Sequence, residues 1–324
     1  MKAKKTLRFG ALAAFGASGL ALAGCGGGDS DSSTPQNIPA ASIVALSSSN
    51  ELSFFDSRTP YSSTTRNVSG LTSGEQLIGI DYRFAPIAGA TTGAGLYGLV
   101  RAGASGASRL VRIDISNNAA AATTVGSSFT LPFTGSNIGF DFNPVVDRIR
   151  VVDSTSRINL RLNPDTGALV DADPTTDGNQ TDGTLTYDTG DAGNGTAPRL
   201  VGAAYTNNVV GTTSTINYAI DAARGALVTQ GRAATATSEA VSPNTGRLFT
   251  VGTLTGISTN ASGAGFDIAP TSNNAYVAIA SNSSSARLYA INLSTAALSG
   301  GATISLGSRP VLGIAVLPST QTAG

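Results

Sequence analysis

The chain has 324 residues, of which 20 are basic and 20 acidic, so only 12% carry a charge. It contains no histidine and one cysteine, which excludes histidine-dependent triads, histidine-ligated transition metals and intramolecular disulfides. Beyond residue 25, where neither lysine nor cysteine occurs, only Asp, Glu and Tyr remain as conventional acid–base groups. The composition therefore does not favour an enzyme.

The first 24 residues have the pattern of a bacterial export signal. Basic residues at 2–8 precede an apolar stretch at 9–22, which is too short to span a bilayer. The Leu-Ala-Gly-Cys sequence at 22–25 resembles the lipobox of bacterial lipoproteins, which implies cleavage before Cys25 and lipidation of that residue. An ordinary secretory signal that contains a cysteine is the alternative. By the same resemblance, Gly26 directs the protein to the outer membrane, facing the periplasm or the cell surface.

The segment that follows predicts a tether. Residues 25–42 are polar and rich in Gly, Ser and Pro, as expected of a flexible link between the lipid and a folded domain. Removal of the leader leaves 16 arginines, no lysine and 20 acidic residues, a net charge of −4. A mildly acidic chain without a basic run is not expected to bind nucleic acid.

Residues 43–318 predict a single all-β domain, followed by a short tail at 319–324. Apolar and polar side chains alternate over runs of 4–7 residues, broken by Gly, Asn, Asp, Ser and Pro. A glycine opens such a strand five times, at Gly79, Gly139, Gly202, Gly265 and Gly313. An apolar residue followed by Asp or Asn ends a strand five times, at Phe55-Asp56, Ile113-Asp114, Leu162-Asn163, Ile220-Asp221 and Ile291-Asn292.

The spacing of these motifs predicts a β-propeller. The glycines lie 48–63 residues apart, enough for a blade of about four short antiparallel strands. The strand-ending motif comes first in the chain and the glycine motif comes last, so the two incomplete ends make one blade. We therefore expect five blades, closed by pairing of residues 311–317 with a strand near 43–46. The alternatives are six blades, with 171–199 as a degenerate blade, or a β-sandwich, which would not explain the complementary ends.

The third predicted blade carries the most specific sequence. Four segments resemble the bacterial domain of unknown function 4394: Gly-Phe-Asp-Phe-Asn-Pro at 139–144, Asp-Arg-Ile-Arg-Val-Val at 147–152, Asn-Leu-Arg-Leu-Asn-Pro at 159–164 and Asp-Gly-Thr-Leu at 182–185. The resemblance covers about residues 43–318. It implies a propeller-like, exported protein and brings no assigned activity.

Three predicted inner strands carry an aspartate two residues after the repeated glycine: Asp81, Asp141 and Asp267. Inner strands line the central channel, so these carboxylates could converge to hold Ca²⁺ or to raise one another's pKa. The favoured alternative is that each accepts backbone N–H groups of its own blade. Ala204 and Ala315 stand at the other two places, which argues against a complete ring of ligands.

A second group of acids crowds one long segment: Asp171, Asp173, Asp177 and Asp182. Their spacing loosely resembles a calcium loop built from oxygen ligands, but it lacks the order and the closing glutamate of an EF-hand. A solvated acidic loop is the favoured interpretation.

Four arginines fall at alternate positions of two neighbouring predicted strands: Arg148, Arg150, Arg157 and Arg161. Period two places each pair on one face, so paired strands would gather the guanidinium groups into one patch. Such a patch could bind a carboxylate, a phosphate or a sugar acid through bidentate hydrogen bonds. The favoured alternative is a set of inter-blade salt bridges to acids such as Asp147 and Asp153.

These features predict a lipid-anchored protein of the cell envelope whose propeller binds an anionic small molecule or an envelope protein, or acts as a scaffold. A calcium-dependent hydrolase of the lactonase or esterase type is the alternative. The sequence has no histidine and only three glutamates, so a calcium-dependent hydrolytic site is harder to assemble from it. The two hypotheses differ in whether acidic side chains converge on a metal-sized site in the channel.

Overall fold

The computed structural model describes residues 34–103, 106–256, 261–281, 285–307 and 309–319, and these are folded into short β-strands. The predicted signal peptide, Cys25, part of the tether and the end of the tail lie outside the described residues. Nowhere in the described ranges is there a helix with the length and apolar character needed to cross a membrane.

Five antiparallel sheets hold the strands. The first contains β1 (Ser42–Ser47), β2 (Glu51–Asp56), β3 (Thr64–Asn67) and β20 (Val311–Val316). The second contains β4 (Glu75–Arg83), β5 (Gly95–Ala102), β6 (Ala107–Asp114) and β7 (Ala121–Thr130). The third contains β8 (Ile138–Asn143), β9 (Arg148–Asp153) and β10 (Asn159–Leu162).

The fourth sheet contains β12 (Leu200–Tyr205), β13 (Asn217–Asp221), β14 (Ala226–Gln230) and β15 (Arg247–Thr253), with β11 (Thr186–Tyr187) added in parallel at its outer edge. The fifth contains β16 (Ala261–Ile268), β17 (Ala275–Ser281), β18 (Arg287–Ile291) and β19 (Leu298–Thr303).

The sheets are the blades of a five-bladed β-propeller. Their inner strands β4, β8, β12, β16 and β20 pack against one another in that order, and β20 packs against β4 to complete the ring. The last strand of the chain closes the first blade, because β20 pairs with β1 through Ile43↔Val316 and Leu46↔Gly313. The predictions of five blades and of this closure are confirmed.

The third blade differs from the predicted four strands. It has three, and only the isolated bridge between Leu162 and Leu169 continues it outward. The segment at 171–183 is rich in Asp, Thr and Gly and lacks alternating apolar residues, so it cannot supply a packed fourth strand. The stretch at 171–199 contributes β11 and is not a sixth blade.

The repeated glycines allow the inner strands to converge on the axis. A Cβ added at Gly139 would lie 2.6 Å from the Ala203 Cβ of the next blade, and one at Gly202 would lie 2.7 Å from the Phe266 Cβ. Only a hydrogen fits at such a crossing. The cavity left on the axis at this level measures about 10 Å³, so the propeller has no open channel there.

The hydrophobic core lies between blades. Each of five buried clusters combines residues of two neighbouring blades, as in Phe54 of the first blade with Leu77 of the second. The cluster between the third and fourth blades is the smallest, and it contains Val152, Tyr187 and Leu248. Buried polar side chains fill the rest of this interface, and the candidate site is built there.

Candidate functional site

Three of the four predicted arginines lie on one face of the third blade. Arg148 and Arg150 alternate along β9, and Arg161 of β10 is the cross-strand partner of Arg150. Directly opposed residues of an antiparallel pair project from the same face, so the guanidinium groups are gathered as the spacing predicts. Arg157 is the exception. It is exposed in the turn between the strands, with a left-handed φ of 61°, because the strand pattern stops at Asp153.

Two of these arginines share one carboxylate. Asp182 accepts from Arg150 Nη1 at 2.5 Å and from Nε and Nη2 of Arg161 at 2.8 Å each. The side chains of Arg150 and Asp182 are each 2% exposed, and that of Arg161 is 19% exposed. Asp182 is therefore an arginine partner here, whereas the sequence hypothesis considered it as a calcium ligand.

The other acids of that prediction lie in an exposed loop. Asp171 accepts the backbone N–H groups of Asp173 and Gln180, both at 3.0 Å. Asp173 accepts from the hydroxyls of the two threonines that follow it, and these bonds lower the pKa of Asp173. Within the described part of the chain, these acids and Asp177 do not meet in a three-carboxylate cluster. The structure thus has a solvated acidic loop here.

The other hydrogen bonds of Arg150 go to the neighbouring strand β10 and to two distant segments. Its Nε donates to the Tyr205 hydroxyl at 3.2 Å, Nη1 to Asn159 Oδ1 at 2.7 Å and Nη2 to Asn244 Oδ1 at 2.6 Å. Tyr205 and Asn244 were not predicted as site residues. Tyr205 ends the inner strand that begins near Gly202, so the repeat register could have pointed to it. Nothing in the sequence marks Asn244.

A cavity of about 380 Å³ opens over this network, between the third and fourth blades. The pocket wall is formed by Arg148, Arg150, Arg161, Tyr205, Val146, Val170, Asn143, Ser242, Pro243 and Asn244. Asp182 is the only acid within salt-bridge distance of these arginines among the described residues. Three positive charges therefore face one negative charge.

The acids expected to neutralise the cluster are bound elsewhere. Asp147 forms a buried ion pair with Arg83, and Asp153 Oδ2 accepts from the backbone N–H groups of Thr155 and Ser156. Among the described residues, Arg148 donates only to carbonyl oxygens, those of Val146 and Asp147. Among the described residues, Asp147 and Asp153 form no salt bridge with these arginines. The pairs of Arg150 and Arg161 with Asp182 agree with the salt-bridge alternative through a different acid.

The pocket presents hydrogen-bond donors. The Tyr205 oxygen accepts from Arg150, so its own proton is free to donate, and no described residue accepts it. Arg161 directs Nε and Nη2 to Asp182, which leaves Nη1 for another acceptor. A molecule with several acceptor oxygens and a negative charge matches this wall.

The three inner-strand aspartates meet on the axis. One carboxylate oxygen each of Asp81, Asp141 and Asp267 lies within 4.8 Å of the other two, and all three side chains are buried. Burial and the Asp267 charge raise the pKa of Asp81, and burial with the Asp81 charge raises the pKa of Asp141. Burial raises the pKa of Asp267 to about 7.

Five backbone N–H groups surround these carboxylates. Asp81 accepts from Tyr82 and from Phe142 of the next blade, and Asp141 accepts from Tyr205. Asp267 accepts from the two remaining inner strands, at Ile268 and Val316, both at 2.5 Å. Each aspartate thus accepts from the next blade. Asp81 and Asp267 also accept from their own blades, as the favoured sequence hypothesis expected.

This cluster does not fit a calcium ion. Ca²⁺ takes six to eight oxygen ligands, whereas five backbone N–H groups point at these carboxylates, and their hydrogens repel a cation. Three carboxylates this close cannot all ionise in a buried site. This arrangement favours carboxyl groups that keep their protons. The acids therefore converge as the hydrolase hypothesis requires, but in a closed, N–H-lined cluster.

The fold and the pocket define a five-bladed β-propeller with a cation-rich cleft between two blades. Residues 51–315 match the family model described as a domain of unknown function, DUF4394. The chain belongs to this family.

Solved structures show distant similarity. A protein of unknown function from Bacteroides caccae is 10% identical, with 85% of this chain and 86% of that chain covered and a TM-score of 0.42. The major allergen Mala s 1 of Malassezia sympodialis is 10% identical over 80% and 74% of the two chains, with a TM-score of 0.40. A calcium-binding regucalcin from Agrobacterium tumefaciens is 12% identical over 76% and 83%, with a TM-score of 0.30. The search of curated proteins found no match. These similarities carry no argument about activity.

Proposed function

We propose that this protein is a lipid-anchored component of the bacterial cell envelope whose propeller binds an anionic small molecule between its third and fourth blades. The observation that carries the proposal is the charge of the pocket. Three guanidinium groups line it, and one carboxylate neutralises part of their charge. Arginine cannot lose its proton to relieve the imbalance. An anion with several oxygens would complete the site.

Arg148 distinguishes a binding site from a structural salt bridge. Arg150, Asp182 and Arg161 already join the blade to the long segment at 171–185, and this contact needs no third arginine. Arg148 lines the pocket without an acidic partner among the described residues, while Asp147 beside it is committed to Arg83. Because it has no acidic partner there, the Arg148 charge should contribute more to binding an anionic ligand than to the stability of the fold.

The location follows from the leader and not from the propeller. The lipobox-like sequence at 22–25 supports lipidation of Cys25, and Gly26 supports an outer-membrane destination facing the periplasm or the surface. Two or more acyl chains anchor a protein stably. A small-molecule pocket held near a membrane is suited to capture a solute of the envelope.

The test is ligand binding with a matched pair of variants. Citrate, galacturonate and inorganic phosphate are titrated by calorimetry and thermal shift, with galactose as the uncharged control. We expect binding of at least one anion, no response to galactose, and a loss of about tenfold or more in affinity for Arg148→Gln. Arg157→Gln removes an equal charge from the same blade outside the pocket and should bind like the wild type. Equal weakening by both variants would contradict the site.

A further inference from the structure

Exposed aliphatic side chains gather at one end of the propeller. The large hydrophobic residues that are exposed in the described chain are Ile87, Val146, Val209, Val210 and Ile216, at 45%, 49%, 36%, 74% and 36%. All lie in the loops at 84–94, 144–147 and 206–216, which follow the inner strands of the second, third and fourth blades. Equivalent loops of a propeller lie at the same end of the ring. These exposed aliphatic groups therefore share one end of the ring with the pocket, and Val146 is the one that belongs to its wall.

These loops adjoin the cation-rich pocket. Val146 is itself part of the pocket wall. The backbone N–H of Ile87 donates to Asp147 Oδ2 at 3.2 Å, which holds the loop of the second blade against that of the third. Tyr205 lines the pocket and directly precedes the loop at 206–216. The positive pocket therefore opens beside the exposed aliphatic side chain of Val146.

We propose that the ligand is an amphiphilic anion, with a carboxylate or phosphate head group on an aliphatic chain. This inference rests on the proposed function and names its ligand class. The head group would accept from Arg148, Arg161 and Tyr205, which carry the free donors. The chain would lie along Val146 and Val170 toward the exposed aliphatic loops.

The apolar wall discriminates among anions. Sugar rings are held in proteins largely by flat aromatic faces, but this chain contains no tryptophan and Tyr205 is the single aromatic residue of the pocket wall. Valine side chains instead gain from burying methylene groups, each of which tightens binding about fourfold, equivalent to about 0.8 kcal/mol. Neither a sugar acid nor a small inorganic anion would use this surface.

The experiment varies chain length at a constant head group. Acetate, butyrate, hexanoate and octanoate, kept monomeric, are titrated into the full-length chain carrying Cys25→Ser, with hexanol as the neutral control. We expect affinity to rise about fourfold per added methylene until the wall is covered. Val146→Asn should flatten this rise without abolishing acetate binding, and Arg148→Gln should weaken every length equally. Arg157→Gln should change neither the affinity for these carboxylates nor its rise with chain length.

The outcomes separate this inference from the proposed function. Equal affinity at all lengths, still dependent on Arg148, would overturn the amphiphile and leave an anion site. No binding of any anion would overturn both. Hexanol binding as tightly as hexanoate would overturn the anionic head group.

A membrane phospholipid and a free fatty acid share this chemistry, and a second arm identifies the source. The same chain is sedimented with phosphatidylglycerol or phosphatidylcholine vesicles. Retention on phosphatidylglycerol alone, lost in Arg148→Gln, supports the inference with a membrane lipid as ligand. Octanoate binding without retention supports it with a free ligand. Failure in both arms overturns it.

Discussion

The carboxylate of Asp141 accepts the backbone N–H of Tyr205 at 2.9 Å, across the boundary between the third and fourth blades. The hydroxyl oxygen of the same tyrosine accepts a hydrogen bond from Arg150 Nε in the pocket. One residue thus links the buried acids on the axis to the cation-rich site, and the protonation of those acids bears on how firmly the two blades are joined.

The axis cluster predicts a contribution to the free energy of unfolding that falls as the pH rises from about 4 to about 7. Because the pKa values of Asp81, Asp141 and Asp267 are raised in the folded protein, it keeps protons that the unfolded chain releases above its ordinary aspartate pKa. For each retained proton, the free energy of unfolding falls by about 1.4 kcal/mol per pH unit. This fall ends when the pH passes the pKa of the folded protein, which is about 7 for Asp267. The chain has no histidine to titrate in this range.

Asp141→Asn tests the origin of that dependence. Asparagine keeps an oxygen for the Tyr205 N–H and cannot ionise, so the unfolded chain no longer gains free energy by releasing the proton of residue 141. The variant should therefore gain stability at pH 7 and show a shallower dependence on pH. Urea unfolding between pH 4 and 8 measures both. Asp141→Ala is the control, because it loses the acceptor and should cost about 1–3 kcal/mol at pH 4. An unaltered pH profile in Asp141→Asn would exclude the cluster as its cause.

Arg150 and Arg148 should separate stability from binding. Arg150→Ala leaves Asp182 buried with one partner fewer, so we expect a loss of about 3–5 kcal/mol in the free energy of unfolding. Arg148→Gln removes a group with only carbonyl partners and should change that free energy by less than about 0.5 kcal/mol. Chemical denaturation of both variants without ligand provides the measurement. A loss for Arg148→Gln as large as that for Arg150→Ala would make Arg148 structural.

Gly139 should not tolerate a methyl group. Its added Cβ would lie 2.6 Å from the Ala203 Cβ and 2.7 Å from the Val152 Cγ2, so Gly139→Ala should force the two blades apart at a cost of about 1–3 kcal/mol or more. Gly93→Ala is a matched control, since nothing lies within 4 Å of its added Cβ. Melting temperatures compare the two, and an equal effect would argue against close packing at the axis.

Removal of β20 should open the ring. Truncation after Arg309 exposes the edge of β1 and deprives Asp267 of the Val316 N–H. An unpaired edge strand invites association with other chains, so we expect aggregation, measured by light scattering and size exclusion. A truncated chain that stays monomeric and melts like the wild type would show that closure is dispensable.

Lipidation of Cys25 predicts membrane association. Cys25→Ser should be released into the soluble periplasmic fraction or remain unprocessed, because the acyl chains can no longer be attached. Fractionation with immunoblotting and mass measurement of the processed chain give the answer. Membrane retention of a processed Cys25→Ser protein would contradict a lipid anchor.

The propeller could be predicted from the sequence because its evidence is local and repeated. Period two marks each strand, and the recurring glycines mark each inner strand. The complementary ends, with Gly313 last and Phe55-Asp56 first, required the closure that β1 and β20 make. The same alternation placed Arg148 and Arg150 on one face, and it did not apply to Arg157, which follows the end of β9.

The partners of these residues were decided only by the tertiary structure. Asp182 lies 32 positions from Arg150, Tyr205 lies 55 and Asn244 lies 94, and no local pattern ties them together. Likewise, repeat register put Asp141 near the axis, but the N–H that it accepts comes from the next blade, 64 positions away. A repeat specifies each blade through short-range periodicity. The interfaces between blades depend on which side chains meet when the ring closes, and that closure decides which charges of this protein gain an opposite charge.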